Sequence, residues 1–85
     1  MTDHIQRERL RYRSRHRGMR EMDILLGGFS DRYLDGFDKA QLTDFAALLE
    51  LPDQDLYDWY LGRFVPPEEK MSPVLRLFLT CKITA

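Results

Sequence analysis

"HRGMREMDILLGGF", residues 16–29, joins an arginine-rich stretch to an apolar one. Met22, Leu25, Leu26 and Phe29 recur at spacings of three and four, and Tyr33 extends the series. That is the period of one helix face, so a helix is predicted over about 19–35. Glu21 and Asp23 fall in its first turn, where carboxylates meet the positive end of the helix dipole. Gly27-Gly28 sits mid-helix at a cost of about 1 kcal/mol per glycine relative to alanine, so a close helix neighbour or a bend is expected there. Upstream, Gly18 reads as the stop of a preceding helix, taking the left-handed conformation that glycine adopts without a Cβ penalty. That first helix covers "HIQRERLRYRSRHR", residues 4–17, with Asp3 as its N-cap. Its apolar content is only Ile5, Leu10 and Tyr12, which predicts a mostly exposed helix docked lightly by one side.

Downstream, Asp38 with Gln41 three residues later resembles a capping box, with Asp in place of Ser or Thr. Leu42, Phe45, Leu48 and Leu49 form the buried face of the helix it opens. Leu51-Pro52-Asp53 makes a turn, with Asp53 as the next N-cap. A short helix follows over "DQDLYDWYLG", residues 53–62, stopped by Gly62. Val65-Pro66-Pro67-Glu68-Glu69 is a linker or a single helical turn. Ser72-Pro73 starts a last helix, about 72–83, held by Leu75, Leu77, Phe78, Leu79 and Ile83. No segment alternates with period two. The expectation is one all-α domain over residues 1–85, a small bundle of about five short helices.

Composition narrows the function classes. At 85 residues with 44% hydrophobic and 32% charged content, the chain suits one globular domain with a modest core. Apolar runs such as Ile24-Leu25-Leu26 are far short of the roughly 20 residues a membrane span needs. The first residues lack the apolar stretch of a secretory signal. The lone Cys81 cannot staple the domain, which suits a reducing compartment, and it reads as a small core residue. His4 and His16 are too few for a metal site. Ser14, Ser30 and Ser72 have no nucleophile context, and there is no phosphate loop or dinucleotide fingerprint.

The net charge of −1 conceals a division. Residues 1–20 carry seven arginines against Asp3 and Glu8, while residues 21–85 carry twelve carboxylates against six basic side chains. Such a dipole orients an encounter with a complementary partner. Arginines at period two spread around a helix and make a poor single stripe for nucleic acid, and the acidic body argues the same way. At the seam, helix punctuation accounts for Gly18 and Glu21 but not for Arg17. An exposed Arg17–Glu21 pair would offer a guanidinium fork and a carboxylate beside bare glycine backbone, which suits a protein partner.

Arg17-Gly18-Met19-Arg20-Glu21 resembles the RGxxE motif of the succinate dehydrogenase flavinylation factors. The likeness extends to "RLRYRSRHRGMREMDILLGGF", residues 9–29, and to "LLELPDQDLYDWYLGR", residues 48–63, whose Asp-Leu-Tyr-x-Trp follows a Leu-Pro turn. With Pro66-Pro67-Glu68 it covers about residues 7–70. The resemblance implies a five-helix assembly factor, not an enzyme, that promotes covalent attachment of FAD to the flavoprotein subunit of succinate dehydrogenase. It also implies that related fumarate reductase flavoproteins can be clients. The resemblance implies a bond between a client histidine and the flavin 8α carbon, so His16 need not be the anchor, and no nucleotide-binding motif supports tight binding of FAD by the factor itself. Arg17 and Glu21 would dock on the client, with Gly18 permitting close approach. Met19 and Arg20 would add contacts, and Arg11, Arg13 and Arg15 would extend the patch. Nucleic acid and membrane insertion are not expected. A bacterial cytoplasm is the expected setting, ahead of the mitochondrial matrix. The alternative is a regulatory or antitoxin-like interaction adaptor.

Overall fold

The computed structural model describes residues 2–81, which form five α-helices joined by short turns. They are α1 (Thr2–Arg15), α2 (Arg20–Tyr33), α3 (Lys39–Leu49), α4 (Asp53–Tyr60) and α5 (Pro73–Thr80). Single 3₁₀ turns at Leu34–Gly36 and Glu68–Lys70 precede α3 and α5. No strand occurs among the described residues. Ile83 lies outside them.

Local signals account for most helix ends. At α3 the Asp38 side chain accepts from the Gln41 amide at 2.9 Å, while Gln41 Oε1 accepts from the Asp38 amide at 2.8 Å. The Ser72 hydroxyl accepts from the Leu75 amide at 3.1 Å, with Pro73 at the first helical position of α5. Gly62 follows α4 at φ 80°. Its amide donates to the Trp59 carbonyl at 3.1 Å and the Arg63 amide to the Asp58 carbonyl at 2.9 Å. This paired closure satisfies carbonyls that the helix end would otherwise orphan.

Phe29 stands at the centre of the core. It is fully buried, and its ring centroid lies 5.1, 5.6, 5.5 and 6.1 Å from those of Tyr33, Phe45, Phe78 and Phe37. These are tilted and edge-on contacts of the kind that aromatic quadrupoles favour. Around them pack Met22, Leu25 and Leu26 of α2, Leu42, Leu48 and Leu49 of α3, Leu56 of α4 and Val74 and Leu75 of α5. Cys81 is buried, with its thiol directed to the Phe78 carbonyl at 3.3 Å.

Three sequence expectations about α1 need correction. The helix is described from Thr2, which places position 3, expected as the N-cap, inside it, and it ends at Arg15, two residues short of Arg17. Of its three apolar side chains only Leu10 is buried; Ile5 and Tyr12 are exposed. Nor is α1 lightly docked, because its arginines tie it down. Arg7 donates to the carbonyls of Leu34 and Phe37 at 2.7 and 2.8 Å. Arg11 pairs with Asp35 at 2.7 Å, Arg13 with Glu50 and Arg15 with Asp31. The hydrogen bond to Asp35 holds the Arg11 guanidinium above its ordinary pKa. Residues 7, 11 and 15 are four apart and share one helix face, so they reach one strip of the body in sequence. The stem of Arg15 crosses Gly27, where a Cβ would come within 3.3 Å of Arg15 Cγ. A side chain of α1 therefore occupies the gap that the mid-helix glycine leaves.

Candidate functional site

The corner between α1 and α2 consists of residues 16–19, with Met19 as the N-cap position of α2. Methionine has no oxygen with which to cap, and no side-chain cap bond forms there. Carboxylates from elsewhere serve the corner's amides instead. Asp23 Oδ1 accepts from the Arg17 amide. Asp53 Oδ2 accepts from the Gly18 amide at 2.9 Å and the Met19 amide at 3.2 Å. Negative charge ahead of α2 also suits the positive end of its dipole.

Arg17 turns inward. Its Nε donates to Asp53 Oδ1 at 2.6 Å, Nη1 to the Leu49 carbonyl at 2.7 Å and Nη2 to the Leu51 carbonyl at 3.0 Å. The side chain is only 10% exposed and that of Asp53 15%. Leu49 ends α3, so the guanidinium caps carbonyls that the helix end leaves without partners. The expectation of an outward fork at Arg17 therefore gives way to a clamp. Arg17 fastens the α1–α2 corner to the α3–α4 turn.

The rest of the motif faces out. Gly18, Arg20 and Glu21 are exposed, and the side chains of Arg20 and Glu21 make no hydrogen bond or ion pair with any described residue. Met19 is half-buried against the core. Arg15 is exposed but paired with Asp31. Gly18 does not have a positive φ, so it is not the left-handed helix stop that its position suggested. A Cβ placed there would meet Asp53 Oδ2 at 3.6 Å, an ordinary contact. Beside the corner, exposed His16 stacks on Tyr12 with centroids 3.8 Å apart, its Nδ1 2.7 Å from the Tyr12 carbonyl. Tyr57 and Trp59 are half-buried against the core.

Sequence reasoning missed Asp53. It sits at the first position of α4, with Pro52 as N-cap, and its oxygens serve the other corner rather than its own helix. An acid after Leu-Pro gave no signal beyond helix capping. Among the described residues, no cluster of three His, Cys, Asp or Glu side chains could hold a metal, and no helix is long and apolar enough to cross a membrane.

The family model described as the flavinator of succinate dehydrogenase matches residues 8–82. The chain belongs to that family. A bacterial member, the FAD assembly factor SdhE of Acetobacter pasteurianus, is 49% identical over 70 residues, covering 82% of this chain and 64% of its own length. The mitochondrial succinate dehydrogenase assembly factor 2 of Debaryomyces hansenii is 40% identical over 77 residues, covering 86% of this chain and 54% of its own. SdhE of Pseudomonas aeruginosa is 35% identical over 79 residues, which is 93% of both chains. The chain thus spans 64% and 54% of the first two relatives and nearly all of the third. In this member of the family the motif divides by direction, with Arg17 held inside and Gly18, Arg20 and Glu21 on the surface.

Proposed function

We propose that this chain promotes covalent attachment of FAD to the flavoprotein subunit of succinate dehydrogenase, by docking on that subunit through the exposed part of its α1–α2 corner. Fumarate reductase flavoproteins are included as clients, and a bacterial cytoplasm is the setting. Family membership supports the activity. The observation that carries the docking site is the corner itself. The amides of residues 17–19 are satisfied internally, yet Arg20 and Glu21 are exposed and without partners among the described residues, beside the bare backbone of Gly18.

The division of labour follows from chemistry. The flavin supplies its own reactivity once bound to the client. What the client needs is its acceptor histidine held against the flavin 8α carbon, and fixing such a geometry removes a large entropic part of a barrier. A factor that binds one arrangement of the client supplies that without a catalytic group of its own. Glu21 is suited to an Arg, Lys or backbone N–H of the client, Arg20 to a carboxylate or carbonyl, and Gly18 to close backbone approach. Met19 and Arg15 flank these contacts. The pairing of Arg11, Arg13, Arg15 and Arg17 with carboxylates of the same chain, and of Arg7 with two carbonyls, supports a protein partner over nucleic acid.

The test is co-expression of the flavoprotein with and without this chain, followed by denaturation and measurement of flavin fluorescence that remains on the polypeptide. Labelling is expected to rise with the factor present. Equal labelling in both would overturn the proposal and leave a general interaction adaptor.

A further inference from the structure

An acid at a helix start ordinarily turns its oxygens to the amides of its own first turn. Asp53 does not. Both oxygens leave α4 and converge on the α1–α2 corner, Oδ1 on Arg17 Nε and Oδ2 on the amides of Gly18 and Met19. The guanidinium holds the carboxylate in orientation through a charge-assisted bond, and the carboxylate holds two successive backbone units. Those units immediately precede Arg20, the first residue of α2. The carboxylate is largely withdrawn from solvent, which strengthens it as an anchor.

We propose that Asp53 is a positioning residue for client recognition. It fixes the backbone of residues 18 and 19, and so sets the place and direction in which Arg20 and Glu21 leave the corner relative to the bare face of Gly18. This rests on the docking reading above and adds to it a residue that touches no client. The physical reason is conformational. Residues 16–19 are not helical, and no side-chain cap holds Met19. Without Asp53 the corner samples several arrangements, and a partner that fits one of them sees its apparent affinity reduced by the fraction of time that arrangement is populated. The 35-residue separation of Gly18 from Asp53 means that the α3–α4 turn sets the accuracy of a surface formed at α1–α2.

The experiment compares Asp53→Ala, Asp53→Asn and Glu21→Ala in the full chain. Backbone amide exchange is read at Gly18 and Met19 and, as a control for the fold, at Phe45 and Phe78. Client affinity is read by titration with the flavoprotein subunit. Asp53→Ala is expected to speed exchange at 18 and 19 about tenfold or more beyond any change at 45 and 78, and to weaken client binding by about tenfold. Asp53→Asn keeps a carbonyl oxygen for the two amides and should recover part of both losses. Glu21→Ala should weaken binding with exchange at 18 and 19 unchanged. Two results overturn the positioning role: full client affinity in Asp53→Ala despite freed amides, or parallel loss of protection at 45 and 78 in both Asp53 variants. Normal binding by Glu21→Ala instead removes the docking reading, which separates the two failures.

Discussion

Gly18 after α1 and Gly62 after α4 both follow helices, and they do so for different reasons. Gly62 has φ 80°, with nothing within 4 Å of where a Cβ would stand. Backbone conformation alone demands a glycine there, and the demand is local, met by bonds to Asp58 and Trp59 within the same helix end. Gly18 has an ordinary φ and room for a methyl group. Its corner is held instead by a side chain 35 residues away, Asp53, which accepts from the Gly18 amide and pairs with Arg17 of the corner itself. A helix end closed by its own backbone is self-sufficient. One closed by a distant side chain ties its surface to the rest of the fold, as the proposed docking role requires.

Substitutions at the two corners test that contrast. The largest effect is expected from Arg17→Ala, which leaves Asp53 without its cation and the Leu49 and Leu51 carbonyls without a donor. Loss of one partner from a pair this far withdrawn from solvent should cost about 3 kcal/mol in a urea titration. A melting curve that barely moves would show the corner does not depend on the clamp. Next comes Gly62→Ala, where a Cβ in the left-handed region should cost about 1–2 kcal/mol by the same measurement. A negligible change there would mean that α4 ends without needing that conformation. Gly18→Ala should change stability by only about 0.5 kcal/mol, because no strained φ and no clash stand against it. Its flavin labelling of the client should nevertheless fall, since the methyl group occupies the approach surface. The smallest stability effect belongs to Glu21→Ala, within about 0.5 kcal/mol, with labelling lost. Full labelling by both of the last two would move the docking surface away from this corner.

The fold was legible where its signals were short-range. Met22, Leu25, Leu26 and Phe29 declared their helix by spacing, and all four are buried. Asp38 with Gln41 and Ser72 with Pro73 declared helix starts through bonds spanning three residues. Gly62 declared a stop through its own conformation. Asp3, Gly18 and Asp53 carried similar signals and read wrongly as punctuation. Asp and Gly near a helix end have more than one use, and the choice depends on what lies opposite.

The arginines show that dependence most clearly. Their concentration in residues 1–20, against an acidic remainder, suggested a charge dipole open to a partner. In the folded chain Arg7 and Arg11 reach the segment following α2, Arg13 and Arg17 reach the two ends of the α3–α4 turn, and Arg15 crosses Gly27 to Asp31. Much of the basic stretch is thus matched by the acidic body of the same chain. The RGxxE resemblance drew attention to this corner, but it carried no sign that its arginine and its glutamate face opposite ways.

By itself the sequence determined five helices, the apolar faces that they bury, and the family to which those patterns belong. Hydrophobic period and capping chemistry act within a few residues, and their outcome is written in adjacent letters. The tertiary structure alone decided which charges are engaged and which are offered. An ion pair between residues 17 and 53 exists only once packing of α1, α3 and α4 has brought them together. Coulombic and hydrogen-bonding partners are chosen by proximity in space, and spacing along the chain carries no record of that choice.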